Sequence, residues 1–187
     1  MTGQIAIAIL AGGRATRFPR KLERPVNGRP MLEIVYQRAS ETGWPAYVVG
    51  NAPFVPDVLP GADTISDAVP GSGPLQAFVA ACSALTQDRV VALAADEPRV
   101  DASLLRELAA AWSAGDEAVV PQHEAGVEPL AALYDRAAVL REAAAMDAGA
   151  SMHALLARLR VRYVPMQRQA FANVNTPDDY ARLQESV

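Results

Sequence analysis

The sequence predicts an α/β fold in which a mostly parallel sheet is covered by helices on both faces. Two patterns point to it. Short apolar runs rich in Val and Ile alternate with helical segments along the whole chain, as in βαβ architecture. The first run, Gln4–Leu10, is continuously apolar apart from its first residue and ends at Ala11-Gly12-Gly13, as a buried parallel strand does. Composition agrees. Hydrophobic residues make up 51% of 187 residues, which excludes a disordered chain. Alanine accounts for 37 positions and aromatics for only 6%, so the core must be built largely from small and aliphatic side chains. The length suits a single domain spanning 1–187.

The elements follow in order. After the first strand, Asn27-Gly28 marks a turn. Pro30 suits the first position of a helix whose apolar face is Leu32, Val35 and Ala39, running to about Glu41 before Gly43 stops it. Tyr47–Val49 is a second strand, followed by a loop with Pro53, Pro56 and Pro60 and a short strand at Thr64-Ile65. Pro74–Leu85 is an apolar helix and Val90–Ala94 a strand ending at Asp96-Glu97-Pro98. Asp101 is an N-cap for a helix through Trp112. Ala118–Val120 is a strand, Leu130–Tyr134 is extended or at a sheet edge, and Arg136–Ala145 and Met152–Leu159 are helices. Val161–Val164 and Phe171–Val174 are strands, and Pro177–Gln184 is the closing helix.

Charge is uneven. Between residues 14 and 29 lie Arg14, Arg17, Arg20, Lys21, Arg24 and Arg29 against Glu23 alone, in a chain of net charge −4. A general nucleic-acid surface is therefore not expected, and a local anion site is. Of 17 basic residues, 16 are arginine; the one lysine is Lys21. The single cysteine, Cys82, cannot form an internal disulfide, in keeping with a reducing cytoplasm. The amino-terminal apolar run is short and lacks a basic segment before it, so neither a signal peptide nor a membrane span is expected. His123 and His153 sit in no zinc-ligand spacing. No Gly-x-Ser-x-Gly occurs, so a nucleophilic triad has no support.

In an open parallel sheet, ligands bind beyond the carboxyl ends of the strands. That rule selects the loops after Leu10, Ala94 and Val174. In the first, Leu10-Ala11-Gly12-Gly13 lets the backbone approach a phosphate, and Arg17 and Lys21 supply positive charge. It is neither a Walker loop nor a dinucleotide fingerprint. In the second, Asp96 is placed to hold Mg²⁺, an ion that takes few protein carboxylates plus substrate phosphates; a turn or capping role is the alternative. In the third, Asn173 and Asn175 are candidates to face the cleft, and only one of them does so easily because they alternate along the chain. Thr176-Pro177-Asp178-Asp179 reads as an N-cap, a proline at the first helical position and an acid at the third. Asn51 is either a base-edge contact or a turn residue. The loop from Asp67 to Gly73 either holds a nucleoside through its backbone or is only a turn.

Taken together, these segments resemble the MobA-like nucleotidyltransferases. The resemblance rests on Leu10-Ala11-Gly12-Gly13 with Arg17 and Lys21-Leu22, Asn27-Gly28-Arg29-Pro30-Met31-Leu32, Gly73-Pro74-Leu75, Asp96-x-Pro98, Glu128-Pro129-Leu130-Ala131-Ala132-Leu133-Tyr134, and Asn173-Val174-Asn175-Thr176-Pro177. They occur in family order across nearly the whole chain. The resemblance implies a three-layer, Rossmann-like nucleotidyltransferase fold, with about 1–100 binding the nucleotide and about 101–187 the acceptor. It implies Mg²⁺ on Asp96, triphosphate binding by the Gly loop, Arg17 and Lys21, nucleotide contacts from Leu10, Ala11, Gly12, Gly13, Asn51, Asp67 and Gly73, and acceptor contacts from Asn173 and Asn175. The implied reaction moves GMP from MgGTP to the terminal phosphate of molybdopterin, or molybdenum-molybdopterin, with passing contact to other cofactor-synthesis proteins. Gly12 and Pro74 favour GTP over CTP within the family. Three departures stand out: Phe18-Pro19 after Arg17 with a compressed spacing to Lys21, Ala77 two residues after Leu75, and Glu97 inside the Asp-x-Pro motif. Other readings are a cytidylyltransferase, another NTP:phosphate nucleotidyltransferase, and a non-catalytic nucleotide-binding or delivery protein.

Overall fold

The computed structural model describes residues 4–12, 18, 20–66, 73–171 and 173–185. Strand β1 (Ile5–Leu10) is followed by a 3-10 turn at Lys21–Glu23 and by β2 (Pro25–Val26) and β3 (Arg29–Pro30). These two form a small hairpin in which Asn27 and Gly28 both take positive φ, 49° and 82°, the pair of conformations a two-residue hairpin turn requires. Then come α1 (Met31–Ser40), β4 (Ala46–Val49), α2 (Val55–Val58), β5 (Thr64–Ile65), α3 (Pro74–Ala84), β6 (Arg89–Ala94) and α4 (Ala102–Ala110). The second half adds β7 (Ala118–His123), β8 (Gly126–Val127), β9 (Ala131–Asp135), α5 (Arg136–Ala143), α6 (Met152–Leu156), β10 (Val161–Pro165), a 3-10 turn at Arg168–Phe171, and α7 (Pro177–Glu185).

The sheet order is β10-β7-β9-β6-β1-β4-β5, with β8 paired to β7. The pairs β1·β4, β1·β6, β4·β5 and β7·β10 are parallel. β9 alone on that path runs antiparallel, between β6 and β7. The expectation of a mostly parallel sheet holds, but the segment read as extended or at an edge lies inside the sheet. A strand reached through the β7–β8 hairpin can return beside β6 only in reverse direction, and sequence pattern carries no direction.

Period-2 alternation sorts each strand onto two faces. Ala6, Ala8, Leu10, Val90, Ala92, Ala132 and Tyr134 face α3, α5 and α6. Ile7, Ile9, Val91, Leu93, Ala131 and Leu133 face α1, α2 and α4. The alanine excess has a structural use on the first face. Small strand residues leave room for Phe78 of α3 to pack at a tilt against Tyr134, ring centroids 5.1 Å apart, and the buried Tyr134 hydroxyl donates to the Pro129 carbonyl at 2.7 Å. Cys82 lies in this same core, and burial pushes its thiol up to about 12, so it is inert.

Element ends follow capping chemistry. The Asp101 carboxylate accepts from the Leu104 N–H at 2.9 Å, as its N-cap reading required. Pro30 falls in β3, just ahead of the first helical residue Met31, and the helix after Asp101 ends at Ala110, before Trp112. The proline-rich loop holds the single turn α2, with Pro56 in its first turn. The segment expected as a strand at Phe171–Val174 is not one: Phe171 closes a 3-10 turn and 173–175 is irregular. Its apolar residues are buried singly, Phe171 against one sheet face and Val174 in a third small core, rather than by strand pairing.

Candidate functional site

The carboxyl ends of β6, β1 and β4 lie side by side. The Leu10 carbonyl accepts from Ala95 N–H at 3.3 Å, and Ala11 N–H donates to the Val49 carbonyl at 2.9 Å. These two residues stitch β1 to both neighbours, so Gly12 is the first residue whose backbone leaves the sheet. Gly50, just past β4, has φ +133°, and a Cβ there would stand 2.9 Å from Gly12 N and 3.1 Å from Gly12 Cα. Only glycine allows the two chains to approach so closely. Sequence reading passed over Gly50; its one visible sign was a glycine directly after a strand. Asn51 follows it at the same rim, and Gly73, at φ +97°, opens α3. Gly13, Arg17 and Asp67, three of the expected nucleotide contacts, lie outside the described residues.

The run of cations does not act as a block. Arg20 donates to both carboxylate oxygens of Glu23, at 3.0 and 2.7 Å, and so neutralises the one acid in the run. Arg24 lies 4.6 Å over the Phe18 ring, and Arg29 bonds the Gln37 side chain. Lys21 alone among these turns inward. Its Nζ donates to Asp96 Oδ2, to the Val174 carbonyl at 3.1 Å, and to Asn175 Oδ1 at 3.1 Å. Three expected site residues, Lys21, Asp96 and Asn175, thus meet at one ammonium. The lysine and aspartate side chains keep 14% and 19% exposure, enough to be reached from solvent.

A small apolar core sets this geometry. Phe18, Val26, Met31 and Ile34 from the amino-terminal part pack against Val174 and Leu183 from the carboxyl-terminal part. Phe18 meets Tyr180 edge to face at 5.8 Å, and the Tyr180 hydroxyl donates to the Pro25 carbonyl. The start of α7 carries the expected capping arrangement. Asp179 N–H donates to Thr176 Oγ1 at 3.1 Å, while Asp179 Oδ2 accepts from the N–H groups of Asn175 and Thr176 at 3.1 and 2.9 Å. The Thr176 hydroxyl, helped by Arg182, holds the Asp179 carboxyl down at about 2.

The two asparagines divide as their alternation requires. Asn175 faces Lys21, whereas the Asn173 side chain bonds Glu97. Glu97 is buried, and its Oε2 has no partner among the described residues. Burial, with Glu128 and Asp96 adding to it and the Asn173 bond opposing it, pushes this carboxyl well above the usual range. Glu97 therefore faces inward beside Glu128 instead of joining Asp96 at the rim. Glu128 in turn is held by His123, whose Nε2 lies 2.8 Å from Oε1. Ala125 N–H donates to His123 Nδ1 at 3.1 Å, so the ring proton sits on Nε2 and is donated to Glu128. The pairing was not legible in the sequence, because a histidine on a strand end gives no sign of which acid it meets.

Asp96 fits a hard divalent cation by its chemistry. Its Oδ1 accepts no hydrogen bond among the described residues, while the other oxygen is held by Lys21. No group of three or more His, Cys, Asp or Glu able to hold a metal occurs among the described residues. A cation here would take one protein carboxylate and find its remaining ligands on substrate phosphates and water, the usual habit of Mg²⁺.

A mixed, mostly parallel sheet with helices on both faces, a glycine loop after β1, a carboxylate after β6 and a lysine between them define a nucleotide-transferring class of fold. Residues 7–163 match the MobA-like NTP transferase domain, and the chain belongs to that family. A relative, the molybdenum cofactor guanylyltransferase of Xanthomonas euvesicatoria pv. vesicatoria, is 31% identical over 94% of this chain and 92% of its own. The crystal structure of molybdopterin-guanine dinucleotide biosynthesis protein A from Archaeoglobus fulgidus is 28% identical and superposes with TM-score 0.78 over 98% of this chain and 97% of its own. A Mycobacterium tuberculosis protein solved as a complex with manganese is 25% identical, with TM-score 0.77 over 98% and 100%. Among the described residues, no helix is long and apolar enough to cross a membrane.

Proposed function

We propose that this protein is a Mg²⁺-dependent molybdenum cofactor guanylyltransferase of the cytoplasm, moving GMP from GTP to the terminal phosphate of molybdopterin or its molybdenum-loaded form. The observation that carries the reading is the Lys21 ammonium held at once by Asp96, the Val174 carbonyl and Asn175, at the strand ends where this family works. The names borne by full-length relatives support the guanylyl and molybdopterin assignments.

A phosphate oxygen of the acceptor attacks the α-phosphorus of GTP in line, one P–O bond forms, and the bond to pyrophosphate breaks. The attacking phosphate is already anionic near neutral pH, so no general base is needed. Bound at Asp96, Mg²⁺ supplies charge neutralisation on phosphate oxygens, as in other phosphoryl transfers. Lys21 exchanges its internal partners for phosphate oxygens and stabilises the charge on the departing pyrophosphate. A compact ammonium with three rotatable donors suits that exchange better than a planar guanidinium. The Gly12 backbone, with Gly13 and Arg17, cradles the triphosphate; Leu10 and Ala11 hold that loop against both neighbouring strands. Asn51, Asp67 and Gly73 bind the nucleoside. Residues 1–100 serve the nucleotide, and 101–187 carry the acceptor, with Asn173 and Asn175 at the boundary between them.

The test is thermal stabilisation by GTP, CTP, ATP and UTP with Mg²⁺, followed by pyrophosphate release on adding molybdopterin. A ligand at 100 times its Kd adds roughly 2.7 kcal/mol. Selective stabilisation by GTP with molybdopterin-dependent release is expected. Selectivity for CTP would move the protein to cytidylyl transfer, and binding without release would make it a carrier.

A further inference from the structure

A cavity lies at the opposite end of the sheet from Lys21 and Asp96. It occupies about 570 Å³, within the roughly 300–1,000 Å³ range of small-molecule sites. It opens where β1, β4 and β6 begin, and α4 closes one side. One strand length, about 20 Å at roughly 3.3 Å per residue, separates it from the proposed reaction site.

Its lining combines two features. First, Arg89 and Arg106 both face it, and neither forms an ion pair with any described residue. Two acids beside Arg89 are engaged with other groups: Asp88, its neighbour in sequence, accepts from Gln4 N–H, and Asp135, opposite it in the sheet, caps α5 through Ala138 N–H. Arg89 is instead held 4.4 Å over the Trp112 ring, which fixes its plane and leaves its edge donors available. Arg106 donates one N–H to the Glu41 carbonyl. Second, Trp44 and the methyl groups of Ala109 and Ala110 supply flat apolar surface. Arg106, Ala109 and Ala110 share one face of α4 by their three- and four-residue spacing.

We propose that this cavity binds a small molecule with an anionic head, phosphate or carboxylate, on a flat apolar body. The two guanidinium groups take the head, since their fork geometry matches either anion. The body lies between Trp44 and the alanine face of α4.

Trp44 and Trp112 are the only tryptophans in the chain, so intrinsic fluorescence reports on this cavity and not on the site around Lys21. Full-length protein is titrated with phenyl phosphate, benzoate, phenol and inorganic phosphate. A saturable fluorescence change with phenyl phosphate or benzoate is expected, with phenol and inorganic phosphate at least tenfold weaker; which anion binds tighter identifies the head. Arg106→Gln should weaken that binding at least tenfold. Ala110→Phe fills the cavity while leaving both arginines in place, and should abolish it with the thermal melt retained. No saturable change with either anion, or equal binding by the Ala110→Phe protein, overturns the proposal.

Discussion

At the carboxyl end of the central strands, Lys21 gathers Asp96, a carbonyl and an asparagine. At their amino end, Glu117, which leads into β7, receives Arg141 at 2.7 Å, Arg160 at 3.1 Å and the Arg160 backbone N–H at 2.9 Å. Both clusters join distant segments, yet they are built oppositely. In the second, the acid is buried and the cations are exposed, with Arg141 at 54% and Arg160 at 69%. Burial alone would raise the Glu117 carboxyl, but the Arg160 backbone bond and the Arg141 guanidinium outweigh it and hold it below the usual range. Its acceptors are filled by donors from the same chain. In the first cluster both partners are partly open, and Asp96 keeps one oxygen free of hydrogen bonds among the described residues. The closed cluster is suited to holding β7 to β10; the open one is suited to trading its internal partners for a ligand.

The comparison can be broken in order of effect. Asp96→Ala should lower Mg²⁺-dependent transfer by about 1,000-fold or more, about 4 kcal/mol of barrier, with an unchanged melting temperature; near-normal pyrophosphate release would remove Asp96 from the reaction. Lys21→Ala should reduce kcat/KM by about 10- to 1,000-fold, and Lys21→Arg should restore less than about a tenth of the loss if a compact ammonium is what the site needs. Full rescue by arginine would erase the distinction between the two clusters. Glu117→Ala should do the reverse: a loss of about 2 kcal/mol of stability in denaturant melts, from orphaned donors and a broken ion pair, with kcat/KM unchanged. Asn175→Ala should cost about 1–2 kcal/mol in kcat/KM, roughly 5- to 30-fold, through a less well-held Lys21.

The smallest effect concerns the cap that positions Asn175. Asp179 is held at about 2 in the folded state, below the roughly 3.9 of an unfolded aspartate. Its contribution is therefore present above about pH 4 and is lost as pH falls toward 2. Asp179→Asn should lower stability at pH 7 by about 1 kcal/mol and flatten the acid limb of the stability curve. An acid limb identical to that of the unaltered protein would show that the cap contributes nothing to folding.

Much of the fold was legible in local pattern. An apolar run ending in glycine placed β1 and one ending at Asp96-Glu97-Pro98 placed β6, Asp101 and Thr176 marked helix starts, and the carboxyl-end rule selected the loops holding Lys21, Asp96 and Asn175. The error at Phe171–Val174 has a plain cause: a short run with apolar residues at its ends looks alike whether a neighbouring strand or a small core buries them. The position of β9 inside the sheet was hidden because strand direction is set by which partner a hairpin delivers it to. The arginine-rich run was read as one anion site because charge is visible in sequence and its neutralisation is not. Glu23, Phe18 and Gln37 occupy three of those arginines, and among the described cations of the run Lys21 is the one that reaches Asp96.

By itself, the sequence determined the chemistry available: one lysine among 17 basic residues, an aspartate after a buried strand, and two asparagines before a capped helix. It also determined the family, since short motifs in fixed order survive substitution elsewhere. Only the tertiary structure decided that Lys21 and Asn175, 154 residues apart, share a hydrogen bond, and that Asn173 turns to the buried Glu97 instead. The reason is physical. Helix, turn and cap signals act over a few residues, whereas the small core of Phe18, Val26, Met31, Ile34, Val174 and Leu183 forms only when the sheet brings both ends of the chain together.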